Sequence, residues 1–200
     1  MPSPKREIAG ENAALRKAGA RPFRAEQMAP ATRPTALQVP ILPSEAAHGI
    51  AFVGRTLVVL WQTETRAAAV VELATLLAGR AAEFGSVGLL QVIGDRATPP
   101  DSTVRAALAS MLKDNEQRIV ASAVVFEGAG FRASAVRSVV IGISMLSRPK
   151  CPHMVFASSK AGIEWLSGYE PLGGKSPGQA AASMQLAIDR LRALAQPVST

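Results

Sequence analysis

Few residues in this chain are of a type that does chemistry. Cys151 is its one thiol, and His48 and His153 are its two imidazoles, among 200 residues. One cysteine excludes an internal disulfide and a Cys-rich zinc site, and the histidines lie too far apart for metal-ligand spacing. No metal and no cofactor are therefore expected. Cys151 and His153 stand two apart, where strand alternation puts both side chains on one side, so a thiol paired with an imidazole fits the spacing. No third group stands ready to orient the histidine, and Cys151 reads instead as a small buried or half-buried thiol. Asp95 and Asp101 flank one loop. They serve as turn and cap residues as readily as they would serve as a general acid and base.

Two glycine-rich stretches invite a phosphate reading. Gly128-Ala129-Gly130 follows an apolar run and precedes a helical pattern, but position 133 is Ala, so the third glycine of a dinucleotide fingerprint is missing. What remains is a helix start with Arg132 close by, a candidate anion site. Gly173-Gly174-Lys175-Ser176 resembles the end of a phosphate-binding loop, yet Tyr169 stands where its first glycine belongs and no strand precedes it. It reads as a linker. The segment Gly94 to Thr103 is the most informative. Asp101-Ser102-Thr103 ends a loop after an apolar strand and opens a helix. A hydroxyl there is a cap worth about 1 kcal/mol, or a site where an added phosphate acts strongly on a helix start or on a docked partner. Ser102, Thr103 and Asp101 are the candidate partner-binding or phospho-acceptor residues.

The elements that position these residues follow from hydrophobic pattern. Ile50 to Val53 and Thr56 to Trp61 are apolar runs joined by Gly54-Arg55, a two-residue hairpin turn. Thr63 to Phe84 reads as a helix with Val70, Leu73, Ala74, Leu77 and Ala81 inward, Arg66, Glu72, Arg80 and Glu83 toward solvent, and Gly85 as its stop. Val87 to Ile93 is a strand broken only by Gln91. A second helix, capped by Asp101 or Ser102, turns Val104, Ala107, Leu108, Met111 and Leu112 inward. Ile119 to Phe126 is the next strand. A third helix carries Val136, Val139, Val140, Ile143 and Leu146 on one stripe and ends before Pro149. His153 to Ala157 is a short strand, and Ser158 or Ser159 caps a helix carrying Ile163, Trp165 and Leu166. Pro177 to Ala195 reads as an appended amphipathic helix. Continuous apolar strands alternating with amphipathic helices predict an α/β fold with a mainly parallel sheet of about five strands, an N-terminal β-hairpin and covering helices.

Composition sets the outer limits. Seven of the fourteen prolines precede Ala47, so residues 1–47 are expected to be a disordered, basic, Pro-rich tail. Residues 48–170 form the expected domain, and 171–200 a linker and the C-terminal helix. The formal net charge of +7 divides into seven Lys/Arg against four Asp/Glu up to Ala47 and fifteen against eleven beyond it. Neither part is a polybasic block, so no specific nucleic-acid partner is expected. No apolar run is long enough to span a membrane and no secretion signal opens the chain, so a cytoplasmic location is expected.

Gly54 to Trp61, the strand ending Val92-Ile93, Ala123 to Phe126, and Val155-Phe156-Ala157 with Ile163-Glu164-Trp165-Leu166 together resemble the STAS-like, SpoIIAA-like domains. That group includes bacterial anti-sigma-factor antagonists. The resemblance covers about His48 to Leu166 and is one of pattern and order. It implies a non-enzymatic protein-interaction module in a bacterial regulatory or scaffolding complex, with a phosphorylatable serine after an aspartate at the start of a helix. Ser102 matches that place, with Thr103 second. The antagonists usually continue with Gly-Leu, whereas Val104-Arg105 follows here, and the loop is longer with Pro99-Pro100. The wider group also resembles lipid-binding folds, which implies a lipid or small apolar ligand as the alternative.

Overall fold

The computed structural model describes residues 47–128, 130–147, 149–169 and 176–195, apart from the side chains of 131–133, 137, 144, 146 and 147. The Pro-rich segment expected to form a tail lies outside the described residues up to position 46, as does most of the linker, 170–175.

The hairpin comes first. β1 (His48–Val53) and β2 (Thr56–Trp61) pair antiparallel, with Val53 opposite Thr56. Gly54 takes φ of 57° in the two-residue turn, a conformation glycine adopts without a Cβ penalty. Then come α1 (Ala67–Phe84), β3 (Val87–Ile93), α2 (Ser102–Asp114), β4 (Ile119–Phe126), α3 (Gly130–Ser147), β5 (His153–Phe156), α4 (Ser159–Ser167) and α5 (Pro177–Leu194). The sheet order is β1-β2-β3-β4-β5, with β2 to β5 parallel.

An order that never reverses has a direct consequence. Right-handed crossovers that all step the same way leave their helices on one face of the sheet. Thus α1, α2 and α3 pack on one face, against Leu57, Val59, Leu89 and Val124. The opposite face, built from Ala51, Val58, Leu90, Ala123 and Val125, is covered by α4 and α5. Strands covered on both sides have no polar face to show, which is why they read as unbroken apolar runs. The register slips between Val87 and Gly88, so that Val120 is an extra residue on β4. Beyond that bulge Ser122, Val124 and Phe126 turn toward α3, while Ala121, Ala123 and Val125 turn toward α4.

Three sequence expectations change. Helix α1 starts at Ala67 rather than Thr63. The preceding residues serve the loops: the Thr63 carbonyl accepts from the Thr98 amide at 3.0 Å, and the β-branched Thr65 is buried. Arg80 does not point to solvent. Its guanidinium lies 4.4 Å from the Phe84 ring centroid and 5.1 Å from that of Phe52, and it donates to the Gly54 carbonyl. β5 ends at Phe156, one residue early.

Helix α5 lies across β1 and β2 rather than standing apart, and buries Ala180, Met184, Ala187, Ile188 and Leu191. Ser176 and Gln179 form a reciprocal capping box at its start. Glu127, just past β4, accepts from the backbone amide of Ser159 at 3.0 Å and from its hydroxyl, and pairs with Arg192 of α5. One carboxylate thereby ties the end of β4 to both covering helices. Among the described residues no helix is long and apolar enough to cross a membrane.

Candidate functional site

The candidates converge where β3 hands over to α2. The loop after β3 is fastened at one end, where the Gly94 amide donates to the Trp61 carbonyl at 2.8 Å, and again at Thr98 to Thr63. Its far end is fixed by Asp101, the N-cap, whose Oδ1 accepts from the Val104 amide at 2.8 Å. The sequence left the cap open between Asp101 and Ser102. Asp101 holds it, and Ser102 and Thr103 stand exposed on the first turn.

Ser102 borders a groove. On α2 the groove is lined by Ser102, Arg105 and Ala106, and on α3 by Ser138, Val139, Gly142 and Met145. It is open, with a volume of about 600 Å³. Met145 is 69% exposed and Ile141, one turn back on α3, 47%. These are large apolar side chains turned to solvent beside a concave surface. Arg105 is the only charged residue among the described lining residues. The α3 sequence adds Arg132 and Arg137 and has no Asp or Glu. Gly130 at the α3 start has φ of 72°, but the Arg132 side chain and Ala129 lie outside the described residues, so the candidate anion site does too.

A second concavity lies deeper. Between the sheet and helices α2 and α3 is a cavity of about 60 Å³. Its floor is Gln91, Val124 and His153, from three adjacent strands. Leu108 and Leu112 of α2 wall one side, Val136, Val140 and Ile143 of α3 the other, and Ala97 to Pro100 lie over its mouth. The Trp61 indole N–H donates to Gln91 Oε1 at 3.2 Å, so a polar pair sits in an apolar surround. Burial holds the His153 imidazole below its ordinary pKa and so favours its neutral form. Ser122, cross-strand neighbour of His153, is fully buried, and its Oγ has no hydrogen-bond partner among the described residues.

Sequence reasoning did not find this cavity. Its signal was Gln91, the one polar residue in an otherwise apolar strand, beside a tryptophan at the end of the neighbouring strand. Cys151 is buried on the same side of the sheet, packed in the α1–α2 core. Burial pushes its thiol pKa up, the reverse of what a nucleophile needs. Asp95 and Asp101 are both exposed, and Asp101 is committed to its cap. Among the described residues no three His, Cys, Asp or Glu side chains gather as a metal site requires.

No model of a known protein family matches the sequence, and no curated protein matches it.

Proposed function

We propose that this chain is a STAS-like protein-interaction module of a bacterial regulatory or scaffolding complex, and that the α2–α3 groove receives an acidic partner segment with apolar anchors. The observation that carries this reading is the placement of Ser102. Because Asp101 caps α2, the Ser102 hydroxyl is left exposed at the rim of a groove that Met145 lines, with Ile141 exposed one turn back along α3. Exposed apolar side chains beside a concave surface are what a partner helix or strand buries.

The charge pattern favours an acidic partner. Arg105, the one charged residue among the described lining residues of the groove, favours a negative segment. The same pattern gives Ser102 a regulatory sign. A phosphate there adds nearly two negative charges three residues before Arg105, within reach of that guanidinium on the helix surface. It would compete with the partner for Arg105 and repel the partner's own charge.

Affinity capture from the native cell tests this, with wild type, Met145→Glu, Ser102→Asp and Val71→Glu as baits. Val71 is 64% exposed on α1, away from the groove, and serves as the control. The expected result is a protein retained by wild type and Val71→Glu and lost from Met145→Glu and Ser102→Asp, with binding that weakens as salt rises. Identical captures by all four baits would end the proposal.

A further inference from the structure

We infer that the cavity beneath the Ala97–Pro100 loop is a binding site for a neutral, single-ring small molecule carrying one hydrogen-bonding oxygen. It is a site separate from the α2–α3 groove.

Charge decides the first part. None of the described residues lining the cavity is Lys, Arg, Asp or Glu, and burial favours neutral His153. An ionised ligand would lose its hydration and meet no counter-charge, whereas a neutral one loses little. Polarity decides the second. Leu108, Leu112, Val136, Val140 and Ile143 give an apolar enclosure, and Gln91 and the neutral His153 are the polar side chains at its floor. Gln91 Oε1 is occupied by the Trp61 indole. Its amide N–H groups are donors, so the complementary ligand atom is a hydroxyl or carbonyl oxygen. Small-molecule sites commonly combine such apolar walls with one or two fixed polar groups.

Size decides the third. The enclosed volume of about 60 Å³ is less than half of the roughly 150 Å³ in which a dry apolar protein cavity holds benzene. A fatty acyl chain does not fit. One ring does so only by also filling the mouth under the loop, where the exposed Thr98 and Pro99 rather than packed helix form the wall. The mouth of the cavity lies toward the carboxyl ends of two strands. Here Trp61 and Ile93 are the last residues of β2 and β3.

The two tryptophans supply the assay. Trp61 lines the cavity, whereas Trp165 sits on α4 across the sheet, against Phe156 and Tyr169. In the ¹⁵N-labelled full chain, titration with phenol should shift the Trp61 indole signal saturably and leave that of Trp165 in place. Benzoate, a charged ring of similar size, should bind at least about tenfold more weakly. Ala97→Val adds two methyl groups at the cavity wall and should weaken phenol binding about tenfold. Leu108→Ala enlarges the cavity and should tighten it by a similar factor. The inference is overturned if Trp61 does not move or does not saturate, if both indoles move together, or if benzoate matches phenol. Should Ala97→Val not fold, Leu108→Ala decides, and failure to tighten phenol binding counts against the site.

Discussion

Gly162 offers a sharp test of how α4 is seated. It lies in the middle of that helix, where glycine is ordinarily about 1 kcal/mol worse than alanine. A Cβ built there would stand 2.7 Å from Val125 Cγ2 and 3.4 Å from the Phe156 ring. Val125 is fully buried on β4, and its β-branched side chain is stiff about χ1, so it cannot swing aside. The helix must lift instead, and overpacking of this kind costs about 1–3 kcal/mol. Set against the propensity gain, Gly162→Ala should be neutral to about 2 kcal/mol destabilising. Gly79, in the body of α1, has nothing within 4 Å of the same added atom, so Gly79→Ala should stabilise by up to about 1 kcal/mol. Both substitutions share the helix-propensity term, and the gap of roughly 1–3 kcal/mol between them isolates the contact with β4. Urea unfolding followed by circular dichroism measures it, with unchanged m-values confirming that the states compared are alike. A Gly162→Ala, Val125→Ala double mutant should recover at least about 0.5 kcal/mol relative to additivity. If Gly162→Ala stabilises as much as Gly79→Ala does, α4 does not rest on Val125 and the packing described for that face is wrong.

Two further outcomes follow from local geometry. Asp101→Ala removes the cap and should cost about 1 kcal/mol, whereas Ser102→Ala should stay within about 0.5 kcal/mol; equal losses in thermal melts would contradict the assignment of the cap. His153 has a folded-state pKa below its ordinary value of 6.5, so the unfolded chain binds its proton more readily. Its contribution to stability is present above pH 6.5 and declines as pH falls toward the folded-state pKa. Wild type should therefore lose more stability than His153→Asn between pH 7.5 and about 5.5, and parallel losses would refute it.

The strands were legible because each is buried on both sides and so reads as a continuous apolar run. Gly54-Arg55 and Gly85 marked the first turn and the first helix stop for equally local reasons. What escaped depended on partners distant in sequence. The start of α1 is set by Thr63 bonding to Thr98, thirty-five residues on. Arg80 reads as a surface residue until the hairpin brings Phe52 and the Gly54 carbonyl against it. The choice between Asp101 and Ser102 as cap turns on which side chain reaches the Val104 amide, which residue type alone does not settle. The cavity was the least visible feature. Gln91 marked it, but only the register of three parallel strands sets Gln91 beside Val124 and within one cavity with His153.

The last of the described helices covers the first of the described strands, and that has a cost in time. During synthesis β1 and β2 emerge early, and α1 to α3 can cover one face of the growing sheet as each crossover is completed. The other face of the hairpin, with Ala51, Val53, Val58 and Leu60, waits for α5, which begins at Pro177, more than a hundred residues after Trp61. At roughly 5–20 residues per second that face stays bare for on the order of ten seconds on each ribosome. A nascent chain stalled or cleaved after α4 would already possess the five described strands and three crossovers, yet would present an uncovered apolar half-sheet. Such a species is a natural client for a holdase chaperone and a natural seed for aggregation, which makes α5 the element whose arrival commits the molecule to its folded state.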